Sequence, residues 1–390
     1  MGHEPRTRHV ALLVETSNAY GRGLLKGIQE YVVANPGWSL YLVEHSRLDT
    51  DLTWLDGWAG DGVLARIETA EIADFVRRVA LPTVDLSAGQ LVPGLPGVET
   101  NDHLIARWAV EHFVERGLTH IGFCSDPRYT WSVRRGAAVH EHAALLGLDA
   151  YEYTLKPRGS RAVDRLRLVQ WLADLPRPVG ILACYDIAGQ DVLEACNVAG
   201  LRVPYEAAVL GVDNDELLAT LSSPPLSSIE PDTRRTGFLA AQLLEKMMNG
   251  EHVEPGLRFI PPLRLVVRQS SDLFAVEDEL VARALELIRE RSSRHVTVEE
   301  IRRAVGLSRR ALDLRFVEHL GRTAHAEITR SRMERVAHLL STTDWTINRI
   351  SQKLDFPHAE SMGAAFKRYA GKSPGRYRVE TSGSITQRGG

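Results

Sequence analysis

The chain has 390 residues, of which 44% are hydrophobic and 25% charged, a composition typical of a folded protein with two or three domains. No apolar run approaches the roughly 18 residues of a membrane span, and the N-terminus lacks the apolar segment of a secretory signal. Three cysteines without metal-ligand spacing disfavour a disulfide scaffold and a zinc site. We therefore expect a cytoplasmic protein with reduced thiols.

The net charge of −3 conceals an asymmetry between the two ends of the chain. Residues 291–380 carry 18 basic and 10 acidic side chains, whereas residues 1–274 carry 26 and 35. A basic C-terminal unit on an acidic body favours a nucleic-acid partner that is bound at one end only.

Apolar, β-rich runs alternate with helical patterns over the first 270 residues, beginning HVALLVE, GLLKGIQEYVVAN, WSLYLVEH and DGVLARI. Such alternation predicts parallel sheets that are covered by helices on both faces. Two six-stranded halves fit this length better than one very large sheet. Ligands of such folds bind beyond the carboxyl ends of the strands, so the residues that follow each strand are candidate ligand contacts.

The residues at these strand ends are polar or aromatic, the mixture that a sugar prefers. Carboxylates and arginines bind hydroxyl groups through charge-assisted hydrogen bonds, and an indole offers an apolar face to a sugar ring. The candidates are Glu15, Ser17, Asn18, Arg66, Trp131, Arg135, Tyr185, Asp186 and Asp213. Structural roles remain open for three of them: Asp186 and Asp213 could cap the helices that follow, and Trp131 could lie in the core. Arg135 is harder to explain structurally, because the helix dipole disfavours a cation near a helix start.

A dinucleotide-binding enzyme is the alternative from another class. The spacing Gly21-x-Gly23-x-x-x-Gly27 follows a strand, and Glu44 ends the next strand. The last interval is one residue longer than in the dinucleotide fingerprint, and about six residues separate the strand from Gly21 where that motif needs an immediate turn. The pattern therefore disfavours an NAD-dependent enzyme.

Metal and catalytic motifs are also not predicted. His140 and His142 lie two apart on a predicted helix and point to different faces, so they are poorly placed to share a metal. The sequence contains no P-loop, no Gly-x-Ser-x-Gly elbow and no convincing pair of catalytic carboxylates. We predict a protein that is not an enzyme and has no metal and no cofactor.

The body resembles a LacI-family effector domain, which has the periplasmic-binding-protein fold. The matching segments are HVALLVETSNAYGRGLLKGIQEYV, ETNDHLIARWAVEHFVERGLTHIGF, an Arg135-x-x-Ala138-Val139 version of that family's Arg-x-x-Gly-Phe, and VLGVDNDELLATLSSPPLSSIEPD. In that family the matched arginine and the aspartate of the Gly-Val-Asp turn hold sugar hydroxyls. The resemblance places these two roles on Arg135 and Asp213.

The resemblance also implies two lobes that close on a ligand, one formed by about 8–104 plus 233–257 and the other by about 105–232 plus 258–270. The family's usual Asn-Asp pair is Tyr185-Asp186 here, which leaves the role of Tyr185 open. The sequence starts directly at the first strand, without the N-terminal DNA-binding headpiece of LacI proteins. We therefore expect the C-terminal domain to be the DNA reader.

The domain boundary is predicted in a short polar bridge. We predict an effector domain over 1–272, a linker over 273–277, a DNA-binding domain over 278–380 and a disordered tail over 381–390. The segment ELVARALELIRE, which follows the bridge, has the apolar spacing of an amphipathic helix.

The last hundred residues contain one pattern twice. The first copy is VTVEEIRRAVGLSRRALDLRFVEHLG, and WTINRISQKLDFPHAESMGAAFKRYAG repeats it about fifty residues later. Each copy predicts a helix, a short break and a second helix, which is a helix-turn-helix. Thr297-x-x-Glu300 is a capping box, and Ser308 is the predicted cap of the second helix of the first copy.

Residues on the outer faces of the second helices are the candidate DNA contacts. In the first copy Leu312 and Phe316 point inward, which leaves Ser308, Arg309, Arg310 and Asp313 for DNA; arginines near the start of a recognition helix can reach guanine edges or phosphates. In the second copy Pro357 is the predicted helix start, Met362, Phe366 and Tyr369 are the predicted anchors, and the candidate contacts are His358 and Lys367.

This doubled motif is strongly similar to the AraC family of DNA-binding domains. It ends in that family's signature, Phe366-Lys367-x-x-x-Gly371-x-Ser373-Pro374-x-x-Tyr377-Arg378. The family places both recognition helices in successive major grooves of double-stranded DNA. Where relatives carry an aromatic pair and often an arginine, this chain has Ser361-Met362-Gly363-Ala364, so we expect the first copy to supply most of the base readout.

The fold class expected from both resemblances is a two-lobed α/β periplasmic-binding-protein-like domain with parallel sheets, followed by an all-α domain with two helix-turn-helix motifs. The pairing resembles xylose-responsive regulators of sugar catabolism. It implies a homodimeric transcription factor, usually an activator, that binds promoter DNA and contacts RNA polymerase. A pentose such as xylose is the favoured ligand. Another sugar or a sugar acid is the alternative, because Arg66 stands where relatives carry an acidic residue.

Overall fold

The computed structural model describes residues 7–44, 46, 51–55, 57–156, 161–272, 278–291, 296–320, 322–343 and 345–379. The chain divides into two units, Met1–Leu273 and Phe274–Gly390. The predicted linker over 273–277 and the predicted tail over 381–390 lie outside the described residues, so the domain boundaries stay predictions.

The first unit has two lobes, and the sheet of lobe 1 is fully parallel. Its strands are β1 (Arg8–Leu13), β2 (Trp38–Leu42), β3 (Gly62–Ala65), β4 (Thr83–Asp85), β5 (Pro96–Thr100) and β11 (Gly256–Ile260), in the order β11-β5-β4-β3-β1-β2. The helices of this lobe are α1 (Ala19–Ala34), α2 (Ala70–Val79) and α8 (Thr233–Met248). The four inner strands β1, β3, β4 and β5 are largely buried on both faces, which explains their near-continuous apolar sequences, whereas the edge strands β2 and β11 are exposed or only partly buried.

The sheet of lobe 2 is parallel except for one edge strand. Its strands are β6 (His120–Ser125), β7 (Asp149–Thr154), β8 (Val179–Ala183), β9 (Ala207–Val212), β10 (Ser227–Glu230) and β12 (Arg264–Val266), in the order β12-β10-β9-β8-β6-β7, with β12 antiparallel to β10. Its helices are α3 (Asp102–Val114), α4 (Thr130–Leu145), α5 (Arg161–Asp174), α6 (Asp186–Val198) and α7 (Glu216–Leu221). The predicted pair of six-stranded halves is confirmed, and the departure from the predicted parallel arrangement is the antiparallel edge strand β12.

The chain passes between the lobes three times: after β5, before α8 and after β11. The last crossing differs from the expectation. The second segment of lobe 1 was expected to end near 257, but β11 pairs with β5 as far as Ile260, and the crossing follows it. The difference arises because Phe259 and Ile260 continue the register with Glu99 and Thr100, so leaving earlier would expose unpaired backbone groups.

Three glycines that resemble a dinucleotide motif allow close packing of the chain instead. A Cβ atom on Gly23 would lie 2.0 Å from the Thr233 hydroxyl, and one on Gly27 would lie 1.9 Å from the Arg234 carbonyl oxygen. Both contacts are with α8, so these glycines let α1 approach that helix closely. A Cβ atom on Gly21 would lie 2.0 Å from the Glu15 carbonyl oxygen, so this position does not accept a larger side chain.

The second unit is entirely helical in the part that the structure describes. It consists of α9 (Glu279–Glu290), α10 (Val298–Val305), α11 (Arg309–Leu320), α12 (Ala324–Thr342), α13 (Ile347–Lys353) and α14 (Ala359–Ala370). The pairs α10–α11 and α13–α14 are the two predicted helix-turn-helix motifs, and α12 connects them. The predicted capping box is present: the Thr297 side chain accepts from Glu300 N while the Glu300 carboxylate accepts from Thr297 N.

Each helix-turn-helix motif has a core of its own. In the first motif Leu312 and Phe316 are fully buried, and in the second Met362 and Phe366 are fully buried together with residues of α12. Tyr369 was predicted as a third anchor of the second motif, but 44% of it is exposed. It lies on the flank of α14 and packs against the Phe366 ring, with ring centroids 6.2 Å apart and ring planes tilted by 48°.

Candidate effector cleft and DNA-reading surface

A buried cluster of charges occupies the carboxyl ends of β1 and β3 in lobe 1. Arg66, which is 4% exposed, donates from Nη1 to Glu15 Oε1 at 2.8 Å and from Nη2 to Glu68 Oε1. Its guanidinium also lies 4.7 Å from the centre of the Tyr20 ring. Burial lowers the pKa of Arg66, but the carboxylates of Glu15, Glu68 and Glu99 outweigh it and the pKa is raised overall. The guanidinium is therefore held in one position and its charge is neutralised within the protein.

Asn18 organises the edge of this cluster. Its Oδ1 accepts from Gly21 N at 2.8 Å, which caps α1, and its Nδ2 donates to Glu15 Oε1 at 3.1 Å. Ser17 is exposed. Of the three candidates after β1, Glu15 and Asn18 are thus joined to Arg66, whereas no contact in the described chain joins Ser17 to it.

Trp131 connects the charge cluster to lobe 2. Its Nε1 donates to Glu68 Oε1 at 3.0 Å across the cleft. Its ring stacks on Tyr129 at 5.2 Å between centroids and meets Tyr185 edge-on at 5.9 Å. An aromatic wall from lobe 2 therefore faces the carboxylates of lobe 1, and Trp131 lies in the cleft while also being buried.

Arg135 lies behind this wall and is held by an aspartate at the start of α3. Its Nε and Nη2 donate to Asp102 Oδ1 at 3.0 Å and 2.8 Å, and its Nη1 donates to the Cys184 carbonyl oxygen. The guanidinium also lies 5.1 Å from the centre of the Trp131 ring. Burial raises the pKa of Asp102, and the neighbouring Arg135 opposes that rise.

Glu99 completes the floor of the cleft at the end of β5. It is 3% exposed and accepts from the Tyr20 hydroxyl and from Thr100 N. Burial raises its pKa to about 7, and the charge of Arg66 limits the rise. Three buried polar atoms of this region have no hydrogen-bond partner within the described residues: Arg66 Nε, Glu99 Oε2 and Asp102 Oδ2.

The last two candidate aspartates lie at the ends of β8 and β9. Asp186 is 2% exposed and accepts from the Ser228 hydroxyl at 2.6 Å and from Asp215 N at 2.7 Å. Burial and the carboxylate of Asp213 both raise the pKa of Asp186. Asp213 has a left-handed backbone with φ of 107°. These two carboxylates therefore lie near each other on the lobe 2 side.

The two capping alternatives for these aspartates are not realised. Tyr185, not Asp186, is the N-cap of α6, and no side-chain capping bond is made there. The cap of α7 is Asp215, which accepts from Leu218 N. Asp215 also faces the Arg22 side chain of lobe 1 at 3.5 Å, a second contact across the cleft.

Three carboxylates that bond to the arginines and aromatic residues of the cleft were not predicted from the sequence: Glu68, Glu99 and Asp102. Asp102 follows β5 closely, so the strand-end rule could have found it. Glu99 lies inside the strand, and Glu68 comes three residues after β3. No local sequence pattern at either position predicts that the side chain contacts an arginine.

The candidate DNA contacts of the first motif are of two kinds: exposed arginines, and side chains that bond to the protein backbone. Arg309 and Arg310 are exposed, and within the described chain neither forms an ion pair. Ser308 is the cap of α11, since its hydroxyl accepts from Ala311 N at 3.2 Å. Asp313 is half-buried and accepts from Ala324 N at 3.2 Å, so part of its carboxylate holds the start of α12.

The second motif presents a different set of side chains. His358 is the N-cap residue of α14, which begins two residues after the predicted start at Pro357. His358 and Lys367 are exposed, as is Arg368, which was not among the predicted DNA contacts. Arg368 lies four residues after Ala364, so it shares the outer face of the helix.

Two further features bear on the class of protein. In the described part of the chain, no three side chains among His, Cys, Asp and Glu converge as a metal site would require. No helix among the described residues is sufficiently long and apolar to cross a membrane.

Three domain families match the chain: the XylR N-terminal domain over residues 9–97, the periplasmic binding protein-like domain over residues 110–271 and the helix-turn-helix domain over residues 301–380. Together with the two-lobed fold and the doubled motif, these matches define a transcription regulator with an effector domain and an AraC-type DNA-binding domain.

Over 384 residues the sequence is 30% identical to the Xylose operon regulatory protein of Escherichia coli (strain K12), covering 95% of this chain and 97% of the relative. It is 28% identical over 380 residues to the protein of the same name from Haemophilus influenzae, covering 95% and 98%. The chain belongs to the family of xylose operon regulatory proteins. A solved structure of the xylose-binding transcription activator xylR matches it with a TM-score of 0.81 at 28% identity, over 96% of this chain and 98% of that one.

Proposed function

We propose that the chain is a sugar-controlled transcription regulator that binds a pentose, in first place D-xylose, in the cleft of its effector domain. The observation that carries this proposal is the set of three buried polar atoms that have no hydrogen-bond partner among the described residues, Arg66 Nε, Glu99 Oε2 and Asp102 Oδ2. Buried polar atoms are rarely left without a partner, so such a group is explained by a ligand that completes its hydrogen bonds.

The chemistry of the three atoms fits a polyhydroxylated molecule. Arg66 Nε is a donor, whereas Glu99 Oε2 and Asp102 Oδ2 are acceptors. A hydroxyl group both donates and accepts, so adjacent hydroxyls of one sugar could satisfy all three. Trp131 and Tyr185 add aromatic surface against which the apolar face of a sugar ring can pack.

The charges of the cleft favour a neutral sugar over a sugar acid. Arg66 already has two carboxylate partners, Glu15 and Glu68. Arg135 is likewise engaged by Asp102. With Glu99 included, four carboxylates surround two guanidinium groups, so an added anion would meet net negative charge in a region of low dielectric.

D-xylose is the favoured pentose because the family relatives are named as regulators of the xylose operon, and one solved relative is described as xylose-binding. The same likeness supports an activator that binds promoter DNA. Homodimerisation, contact with RNA polymerase and a cytoplasmic location are parts of this proposal that rest on the resemblance alone.

Control of DNA binding would begin with closure of the cleft. The contacts that join the lobes include Trp131 Nε1 with Glu68, and Arg22 with Asp215. A ligand that bonds to groups of both lobes binds the closed arrangement more tightly than an open one, and it therefore shifts the population toward closure.

A thermal-shift panel with D-xylose, L-arabinose, D-glucose and D-xylonate tests the ligand. A sugar at a hundred times its Kd stabilises the effector domain by about 2.7 kcal/mol. We expect D-xylose to raise the Tm most and D-xylonate not to raise it. Glu99→Gln should weaken the response, whereas Glu111→Gln, on an exposed part of α3, should retain it. No shift with any pentose would refute the proposal.

A sugar-acting enzyme with a DNA-binding appendage is the remaining alternative, although the family relatives are transcription regulators. Prolonged incubation of D-xylose with the protein, followed by chromatography of the sugar, separates the two classes. We expect unchanged sugar; conversion would favour the enzyme.

A further inference from the structure

The recognition helix of the first motif exposes two apolar side chains. Leu314 is 60% exposed and Val317 is 48% exposed, whereas Leu312, Phe316 and Leu320 on the same helix are buried. The core of the motif is therefore complete without Leu314 and Val317. Their exposure is not explained by the packing of the motif, and the exposure of two neighbouring apolar side chains to water is unfavourable.

Leu314 and Val317 lie on the outer face of α11 beside Arg310. The spacing from Arg310 to Leu314 to Val317 is i, i+4 and i+7, which places the three on one strip of a helix. The second motif carries other chemistry at the matching positions, fifty residues later: Ala364 corresponds to Leu314 and Lys367 to Val317. The apolar strip is thus a property of α11 alone.

The charges around the strip favour DNA as the partner that covers it. Arg309 and Arg310 are exposed at the start of the same helix and, within the described chain, neither has an acidic partner. Such a surface complements phosphates. At the base edges of the major groove, the apolar group is the C5-methyl of thymine, which apolar side chains contact.

We propose that Leu314, flanked by Val317, reads a thymine methyl group in the major groove. This inference rests on the proposed DNA-reading function of the chain and adds the base that α11 selects. Arg310 and Leu314 are separated by about 6 Å along the helix axis, given a rise of about 1.5 Å per residue. That distance corresponds to about two base-pair steps of roughly 3.4 Å, so the thymine lies about two base pairs from the base that Arg310 contacts.

The experiment begins with selection of binding sites from randomised duplexes by the full-length protein. Each thymine of the selected site is then replaced by deoxyuridine, which removes only the methyl group. For the wild-type chain we expect one or two positions at which this replacement weakens binding about three- to fivefold, as the burial of one methyl group predicts. Leu314→Ala should bind the thymine and deoxyuridine duplexes equally at those positions.

Leu145→Ala is the matched control, since Leu145 is a 74% exposed leucine of α4 in the effector domain. It should retain the full discrimination of the wild type. Val317→Ala should reduce the discrimination without abolishing it.

Three outcomes would overturn the inference. Wild-type binding that is insensitive to deoxyuridine at every position removes the methyl contact. Discrimination that persists in Leu314→Ala assigns it to another residue. A Leu314→Ala variant that changes oligomeric state by sedimentation while keeping the discrimination identifies the strip as a protein interface. Failure to enrich any DNA sequence is a separate result, because it would refute the proposed DNA-reading function itself.

Discussion

The arginines of the effector cleft and those of the DNA-reading surface are used in opposite ways. Arg66 and Arg135 are each 4% exposed, and each donates to carboxylates at distances that fix its position. Arg309 and Arg310 are exposed and, in the described chain, have no acidic partner. The cleft arginines are held in place by carboxylates of the protein, whereas the surface arginines keep their charge for phosphates and base edges.

This contrast has an energetic consequence. A buried charge that loses its partner destabilises the fold, because its desolvation is no longer offset. An exposed charge can be removed with little effect on stability. Substitutions in the cleft should therefore change stability and ligand response together, whereas substitutions on the reading surface should change DNA affinity alone.

The largest effect is expected for Arg135→Ala, which leaves Asp102 buried without its partner. Breaking one side of a buried ion pair costs about 3–5 kcal/mol. We expect chemical denaturation to show an effector domain destabilised by that amount. Arg107→Ala, which removes an exposed partner of Glu111, should cost less than about 1 kcal/mol. Equal losses in both variants would contradict the distinction between buried and exposed ion pairs.

The pH dependence of stability should report on Glu99. Burial raises its pKa to about 7 in the folded chain, so the folded state binds a proton that the unfolded state releases between about pH 4.5 and 7. Stability should therefore rise as the pH falls through this window, by up to about 1.4 kcal/mol per pH unit and about 3 kcal/mol in total.

Comparison with Glu99→Gln isolates this contribution, because Asp85, whose pKa burial also raises to about 7, is present in both proteins. Urea denaturation at several pH values should give a shallower slope for the variant. A variant slope that equals the wild-type slope would show that Glu99 does not titrate in this range.

Glu68→Gln should have a smaller effect, and this effect should be on the affinity for the ligand. Glu68 accepts from Arg66 in lobe 1 and from Trp131 in lobe 2, so the neutral amide weakens both positioning bonds. Hydrogen bonds to charged groups contribute about 1.5–3 kcal/mol, which corresponds to a ten- to hundredfold loss of D-xylose affinity. Isothermal titration calorimetry with D-xylose measures this loss of affinity. Glu71→Gln, at an exposed site of α2, should bind like the wild type.

The smallest effects are expected on the reading surface. Arg310→Ala should relax the preference for one base by about 1–3 kcal/mol, since it removes a base contact. Lys367→Ala should weaken binding to all sequences evenly and lower the salt slope by about one, since it removes a phosphate contact. Fluorescence anisotropy on matched and mismatched duplexes at several salt concentrations distinguishes the two. Identical behaviour of both variants would contradict the division.

The two regions also differ in how far the sequence could predict them. The helix-turn-helix motifs depend on local spacing, so the burial of Leu312 and Phe316 and the capping box at Thr297 followed directly from the residues. The predictions for α14 were wrong in two details, since Tyr369 is at the edge of the core and not inside it, and the helix begins at Ala359 and not at Pro357.

The cleft depends on side chains that are distant along the chain. The rule of strand ends selected Arg66, Trp131 and Arg135 as candidates, and these three side chains lie close together, because parallel strands bring their carboxyl ends to one edge. It could not select Glu68 as the shared acceptor or Asp102 as the partner of Arg135, because those choices depend on how two loops meet across the lobes.

The central claim is that a sugar in the cleft controls the binding of DNA, and reciprocal titration tests it most directly. The affinity of the full-length protein for its selected duplex is measured with and without saturating D-xylose, and the affinity for D-xylose is measured with and without the duplex. Thermodynamic linkage requires the two affinities to change by the same factor, and a coupling of about 1–3 kcal/mol gives about five- to 150-fold. We predict equal factors in this range. Tight binding of both ligands with neither affinity changed by the other would contradict the account.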